Sequence, residues 1–250
     1  MSRIESMQVD VITTRLHTPF VTARRRSEVN ETVVLRLFDT EGRVGWGEGP
    51  QSWKVTGESL ASIKACLEGP LREVLLGADL CEPRVVLKAI HDAVFDNPSA
   101  RMAADLAVHD LAAQERGQSV IEYLGGPAGS QRIATDVTLS AGDVDGLVTA
   151  ARERIAEGFG LLKMKIGTDA GTDVARVRAV REAIGPDIGL RVDANQGWSR
   201  DEALRVVAEL ESADLGLEVV EQPVARGDMV GLLEVAGATS LPILADESVF

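Results

Sequence analysis

Two stretches near the start of the chain alternate apolar and polar positions, "MQVDVITTRLHTPF" (7–20) and "ETVVLRLFDTEGRVGWGEGP" (31–50). A period of two is the strand period, because successive side chains point to opposite faces. The second stretch reads as a hairpin turning at Asp39-Thr40-Glu41-Gly42. The spacing then lengthens to the helical one: after "VTGES" through about Leu76, over 84–96, and over 99–116, where Gly117 ends the run. Strands and helices without a regular repeat imply an α+β region over residues 1–125. "GGPAGS" (125–130) cannot extend a helix and marks the boundary.

From 126 to 250 the pattern becomes periodic. Five short strand candidates follow: "IATDVTLS" (133–140), "LLKMKIG" (161–167), "GLRVDAN" (189–195), "GLEVVEQP" (216–223) and "LPILADES" (241–248). Helical faces lie between them: Leu147, Val148, Ala151 and Ile155; then Val174, Val177 and Ile184; then Leu204, Val207 and Leu210. Ser199 with Glu202 forms a capping-box signature for the third of these helices. Repeating βα units predict an α/β fold with a parallel sheet, as in a (β/α) barrel present through its fifth strand. Phe250 falls two residues after the last strand candidate. Eight units would need roughly 80–90 more residues, and an open parallel sheet would expose apolar edges. The expectation is therefore a partial chain, with a complete five-stranded open sheet as the alternative.

Composition narrows the function. The chain has 250 residues, 45% of them hydrophobic, no run of 18 apolar residues and no basic-then-apolar leader, so a cytoplasmic protein without membrane spans is expected. A formal charge of −13 disfavours nucleic acid and anionic membrane surfaces, "ARRR" (23–26) being the one dense basic run. Cys66 and Cys81 form no close pair and read as buried thiols.

The candidate chemistry begins with "LLKMKIG", where Lys163 and Lys165 share one strand face and Leu162, Met164 and Ile166 the other. Two ammonium groups on a barrel's inner face need anions opposite. The next strands supply Asp193 in "VDANQGW", Glu221 in "VEQPV" and Asp246 in "ADES", all near C-terminal strand ends, which share one rim. Three converging carboxylates repel unless a cation joins them. Oxygen-only donors favour Mg²⁺ over zinc. Crowding is expected to depress the pKa of at least one lysine, suiting it to remove a proton α to a carboxylate. Asn195 shares Asp193's face, where it can either hydrogen-bond near the ion or serve as a structural cap. "GWGEG" (45–49) opens no helix and is not read as a phosphate loop. His109 and Trp198 read as packed or hydrogen-bonded residues, and strand alternation turns Glu247 away from Asp246.

These motifs resemble the enolase superfamily, in its muconate lactonizing enzyme-like subgroup. "KMK" matches the K-x-K of the second barrel strand, and Asp193, Glu221 and Asp246 match the three Mg²⁺ ligands of strands three to five. Their spacings of 28, 28 and 25 residues from Lys165 onward fit without gaps. The resemblance covers the whole chain, with residues 1–125 as an α+β capping domain. "TPF", "VGWGE", "VTGES" and "ADESVF" are most similar to dipeptide epimerases of the Ala-Glu type. It implies Mg²⁺-dependent epimerisation of a dipeptide through an enediolate, with Lys165 as base and Lys163 as auxiliary cation. It places Arg25 against an acidic substrate side chain and Thr138 near substrate. It also implies a second acid/base lysine on a sixth strand, which this sequence does not contain. Homo-oligomers are common in the subgroup. A muconate cycloisomerase or o-succinylbenzoate synthase-like activity at the same metal site, and a non-catalytic scaffold, are the alternatives.

Overall fold

The computed structural model describes residues 2–23, 26–129 and 132–249. Its contacts divide the chain into two units, one of Met1–Arg15 and Val29–Arg132, the other of Leu16–Glu28 and Ile133–Phe250. Unlike a cut at 125, this division groups residues 16–28 with the later part of the chain. The Val21 N–H donates to Ser140 Oγ at 3.3 Å, and the Ala141 N–H donates to Val21 O at 2.9 Å.

Strands β1 (Ile4–Val21), β2 (Arg26–Asp39) and β3 (Val44–Pro50) form a sheet in that order. β2 and β3 are antiparallel, and the expected hairpin turn is present, with Gly42 at φ +81°. The helices of the first unit are α1 (Leu60–Cys66), α2 (Arg72–Leu75), α3 (Pro83–Ala93), α4 (Pro98–Glu115) and α5 (Val120–Tyr123). A π-helical stretch, Leu67–Leu71, joins α1 to α2. It contains Pro70, which lacks the N–H a regular helix needs. α3 stops at Ala93 rather than 96, because Val94 takes extended backbone (φ −143°, ψ 144°).

The glycine-rich "GWGEG" is a packing device. An added Cβ at Gly45, Gly47 or Gly49 would lie 2.3, 1.8 or 2.7 Å from the carbonyl oxygens of Ala107, Ala103 and Ser99. Those three residues sit four apart on α4, so the helix backbone rests directly on alternate positions of β3. The side chain of Glu58 caps α4, accepting from the Ser99 and Ala100 N–H groups at 2.8 and 3.2 Å. Cys66 is buried, but Cys81 is exposed, contrary to the expectation of two buried thiols. It lies in the turn before α3, its N–H held by Asp79 Oδ1 at 2.9 Å.

In the second unit, β4 (Val137–Leu139), β5 (Leu161–Lys165), β6 (Gly189–Asp193), β7 (Leu217–Glu221) and β8 (Ile243–Leu244) form a parallel sheet in sequence order. Between them run α6 (Val144–Ala156), α7 (Asp173–Ile184), α8 (Arg200–Ser212) and α9 (Met229–Gly237). An order that never reverses is that of successive barrel units, whereas a doubly wound sheet switches direction partway. The fold is thus mixed α/β, an antiparallel α+β unit and five parallel strands of barrel type. β4 and β8 are shorter than the sequence pattern implied.

Leu162, Met164, Ile166, Val192 and Val220 are fully buried in one cluster with Val177 and Val180 of α7 and Val206 of α8. Each such side chain contributes about 1.5–3 kcal/mol by leaving water. α8 starts at the expected capping box: Ser199 N–H donates to Glu202 Oε2 at 2.9 Å, and Glu202 N–H to Ser199 Oγ at 3.4 Å. Among the described residues no helix is long and apolar enough to cross a membrane.

Candidate active site

With Leu162, Met164 and Ile166 committed to the helices, Lys163 and Lys165 must occupy the other sheet face. The parallel register sets Lys165 beside Asp193 and Asp193 beside Glu221. Lys165 Nζ lies 2.5 Å from Asp193 Oδ2. Lys163 Nζ reaches the same oxygen at 2.9 Å and Glu221 Oε1 at 2.6 Å. Lys165, Asp193 and Glu221 are buried, and Lys163 is half-buried.

A β-bulge delivers Glu221. Leu190 pairs with Leu217 but Val192 with Val220, so two residues of β7, Glu218 and Val219, oppose the single Arg191. Leu217 and Val220 are three apart yet both buried in the helix-facing core, and Glu218 and Glu221 both turn to the charged face. One pleat earlier a second charged row forms. There Arg191 meets Glu218 Oε2 at 2.9 Å and Asp136 Oδ2 at 3.4 Å.

Burial works to raise the Asp193 pKa, but the charges and hydrogen bonds of Lys165 and Lys163 carry it below the ordinary carboxylate value. Glu221 goes the other way: burial, with the neighbouring Asp193 charge, pushes it up despite its bond to Lys163. Lys163 also goes upward. Burial pulls it down, but hydrogen bonds to Glu221 and Asp193 and their charges raise it overall. The crowding that was to depress a lysine is thus outweighed at Lys163 by two carboxylates in direct contact.

Asp246 lies two residues beyond the end of β8 with an exposed side chain, its N–H donating to Gln222 Oε1 at 2.8 Å. The structure therefore brings together Lys163, Lys165, Asp193 and Glu221 and leaves the Asp246 carboxylate apart from them. Among the described residues no three His, Cys, Asp or Glu side chains are gathered to hold a metal. The local donor chemistry nonetheless fits a hard cation. The strand-end acids are all oxygen donors, and two buried oxygens on the same rim, Asn195 Oδ1 and Glu247 Oε2, have no protein hydrogen-bond partner. Buried lone pairs left unmatched are costly, and a hydrated Mg²⁺ would supply what they lack.

Asn195, at φ 45°, donates its N–H to Asp193 Oδ1 at 2.8 Å, which orients that carboxylate. Thr138 is the register partner of Lys163 on β4. Arg25 lies outside the described residues. Glu247, set aside on strand alternation, is buried, because the chain has left the strand and entered a turn.

Three residues without a sequence signal complete the surroundings. Asp173 is fully buried and accepts from the Gly167 N–H and the Trp198 indole, both at 2.9 Å, tying the loop after Lys165 to the loop after Asp193. Phe20, in the segment anchored through Val21, places its ring 5.8 Å from Lys165 Nζ, within cation–π range. Gln222 is fully buried immediately after Glu221. "IGT" and "QGW" held a partial clue to the Asp173 tie: a Cβ at Gly167 would meet Ala194 O, and one at Gly197 would meet Gly167 O, each at 2.2 Å.

Comparison with known proteins gives the family. Residues 3–125 match the family model described as mandelate racemase / muconate lactonizing enzyme, N-terminal domain, and residues 146–250 match enolase C-terminal domain-like. The chain is 39% identical over 249 residues to the L-Ala-D/L-Glu epimerase of Bacillus subtilis, covering 99% of this chain and 67% of that protein. A substrate-liganded structure of the Bacillus subtilis enzyme superposes with a TM-score of 0.94 at 37% identity, covering 99% of this chain and 68% of that one. The dipeptide epimerase of Enterococcus faecalis V583, complexed with Mg and L-Leu-L-Tyr, gives 0.93 at 33% identity, covering 99% and 69%. The muconate lactonizing enzyme of Pseudomonas fluorescens, complexed with muconolactone, gives 0.91 at 28% identity, covering 99% and 67%.

Proposed function

The chain belongs to the mandelate racemase / muconate lactonizing enzyme family of the enolase superfamily, and from that premise we propose that it is an isomerase acting at the α-carbon of a dipeptide. The observation that carries the reading is the contact of Lys163 and Lys165 with Asp193 and Glu221 at the C-terminal strand ends. Support for a dipeptide comes from relatives named as epimerases of L-Ala-D/L-Glu and of hydrophobic dipeptides.

In this reading Lys165 is the base, its Nζ taking the α-proton from one face of the substrate. Lys163, beside Asp193 and Glu221, faces the substrate carboxylate as a fixed cation. Asp193, Glu221 and Asp246 would hold Mg²⁺, with Asn195 close by. When bound, the cation would compensate the acids that now hold the lysines and the negative charge that develops on the substrate carboxylate. Phe20 sets its ring within cation–π range of the Lys165 ammonium, while Thr138 and Arg25 are assigned to substrate contact. The ligands proposed are thus a small dipeptide and Mg²⁺, within a cytoplasmic protein.

Proton removal at one face is testable without delivery from the opposite face, because Lys165 can exchange its captured proton with D₂O and return a deuteron to the face it came from. The full chain, incubated with Mg²⁺ in D₂O and a panel of dipeptides including L-Ala-L-Glu, should wash deuterium into the α-position of the C-terminal residue. No exchange with any dipeptide, together with cyclisation of a muconate, would replace this reading with that of the cycloisomerase neighbours.

A further inference from the structure

The third acidic residue of the proposed set is the one the strands do not position, since β8 ends at Leu244 and Asp246 sits in a turn. What places that turn is one amide. Gln222 Oε1 accepts from the Asp246 N–H at 2.8 Å and the Ser248 N–H at 3.2 Å. Its Nε2 donates to Ser248 Oγ at 2.8 Å and Val224 O at 3.0 Å. Both lone pairs and both protons of the amide are used, so its orientation is fixed by its neighbours. The backbone of Gln222 extends the tie: its N–H donates to Leu244 O at 2.9 Å and its carbonyl accepts from the Gln196 N–H at 2.8 Å. A single buried residue thereby joins the loops that follow β6, β7 and β8.

The arrangement has costs that a merely space-filling residue would not need to meet. Gln222 holds a left-handed backbone (φ 36°), unusual for a residue with a side chain. The turn it holds buries Glu247 with Oε2 unmatched, and the loop it meets through Gln196 buries Asn195 with Oδ1 unmatched. Among the described residues of this unit, both unmatched buried side-chain oxygens thus lie on loops that Gln222 secures.

We infer that Gln222 is a positioning residue for the cation site: it fixes the Asp246–Ser248 turn against the Glu221 strand end and so sets where the third carboxylate stands. The inference deepens the proposed function and rests on its cation reading. A glutamate cannot replace it fully, because a carboxylate oxygen would then face the Val224 carbonyl with no proton between them. Leucine matches the volume but removes all four bonds.

Two measurements on the full chain separate this inference from the reading beneath it. Amide hydrogen exchange without metal reports the turn itself. In Gln222→Leu the Asp246 and Ser248 amides should lose protection, whereas Gln222→Glu, which keeps the acceptor oxygen, should retain most of it. Calorimetric titration with Mg²⁺ reports the consequence, an affinity about tenfold weaker in Gln222→Leu and less affected in Ser248→Ala. Val180→Ala, a core change on α7, should lower thermal stability and leave Mg²⁺ affinity unchanged. If Gln222→Leu does not fold, Gln222→Glu and Ser248→Ala carry the comparison. Unchanged protection, or wild-type Mg²⁺ affinity in a variant whose turn has loosened, would overturn the inference. Failure of the unaltered chain to bind Mg²⁺ would remove the cation reading itself.

Discussion

Asp39 and Glu58 in the first unit are as buried as Asp193 and Glu221 among the parallel strands, but their partners differ in kind. Glu58 accepts from two backbone N–H groups at the start of α4. Asp39 accepts from the backbone of Glu41 and Arg43, from Ser2 Oγ at 2.8 Å and from Arg43 Nε at 2.7 Å. Both are matched by donors with no alternative use: each carboxylate ends a helix or a turn. Asp193 instead shares one oxygen between two ammonium groups, and Glu221 is pressed against Asp193 in spite of like charge. Buried charge matched by local backbone is structural. Asp193 also accepts the Asn195 N–H, but the charges that balance Asp193 and Glu221 are ammonium groups on another strand, an arrangement that stability alone does not call for.

That contrast can be broken from either side. The largest effect is expected from Lys165→Met, which should lower α-proton exchange about 10³-fold while circular dichroism stays that of the folded chain; exchange at the unaltered rate would remove Lys165 as base. Glu58→Ala should do the reverse. Leaving the Ser99 and Ala100 N–H groups buried and unmatched should cost about 2 kcal/mol in denaturant unfolding, with exchange by the folded fraction unchanged. The smallest effect is on pH dependence. Burial works against ionised Asp39, but Ser2 and Arg43 hold its pKa below the ordinary carboxylate value. Its contribution is therefore complete above the unfolded carboxylate range near ~4 and fades as pH falls through the lower folded value. Melting curves of the unaltered chain and Asp39→Asn should differ by ~3 °C at neutral pH and converge in acid.

Much of the second unit was legible because strand alternation is rigid: once Leu162, Met164 and Ile166 face the helices, the direction of Lys163 and Lys165 is settled. The Ser199–Glu202 cap was readable for the same local reason. The features that escaped depend on contacts between distant segments. The bulge at Glu218–Val219 leaves no mark on composition, yet without it Glu218 and Glu221 would face opposite ways. Gln222 reads as part of a turn until Asp246 and Ser248 are seen on its amide. The glycines of β3 read as a strand end with no phosphate-loop role, and only the close approach of α4 shows why side chains are excluded there. Lysine crowding could be anticipated, but its balance against two carboxylates in contact could not, and at Lys163 the balance goes upward. The terminal strand was overextended, because "ADES" leaves the sheet at Leu244 and the Asp246 side chain is governed by a turn.

The central claim is that Asp193 and Glu221 are matched for a cation rather than for stability. Thermal unfolding of the full chain at rising Mg²⁺ concentration tests it directly, since a ligand at a hundred times its dissociation constant stabilises by about 2.7 kcal/mol. The account predicts a melting temperature that climbs with Mg²⁺ in the unaltered chain and stays flat in Asp193→Asn combined with Glu221→Gln. An unaltered chain whose melting temperature ignores Mg²⁺ would contradict it.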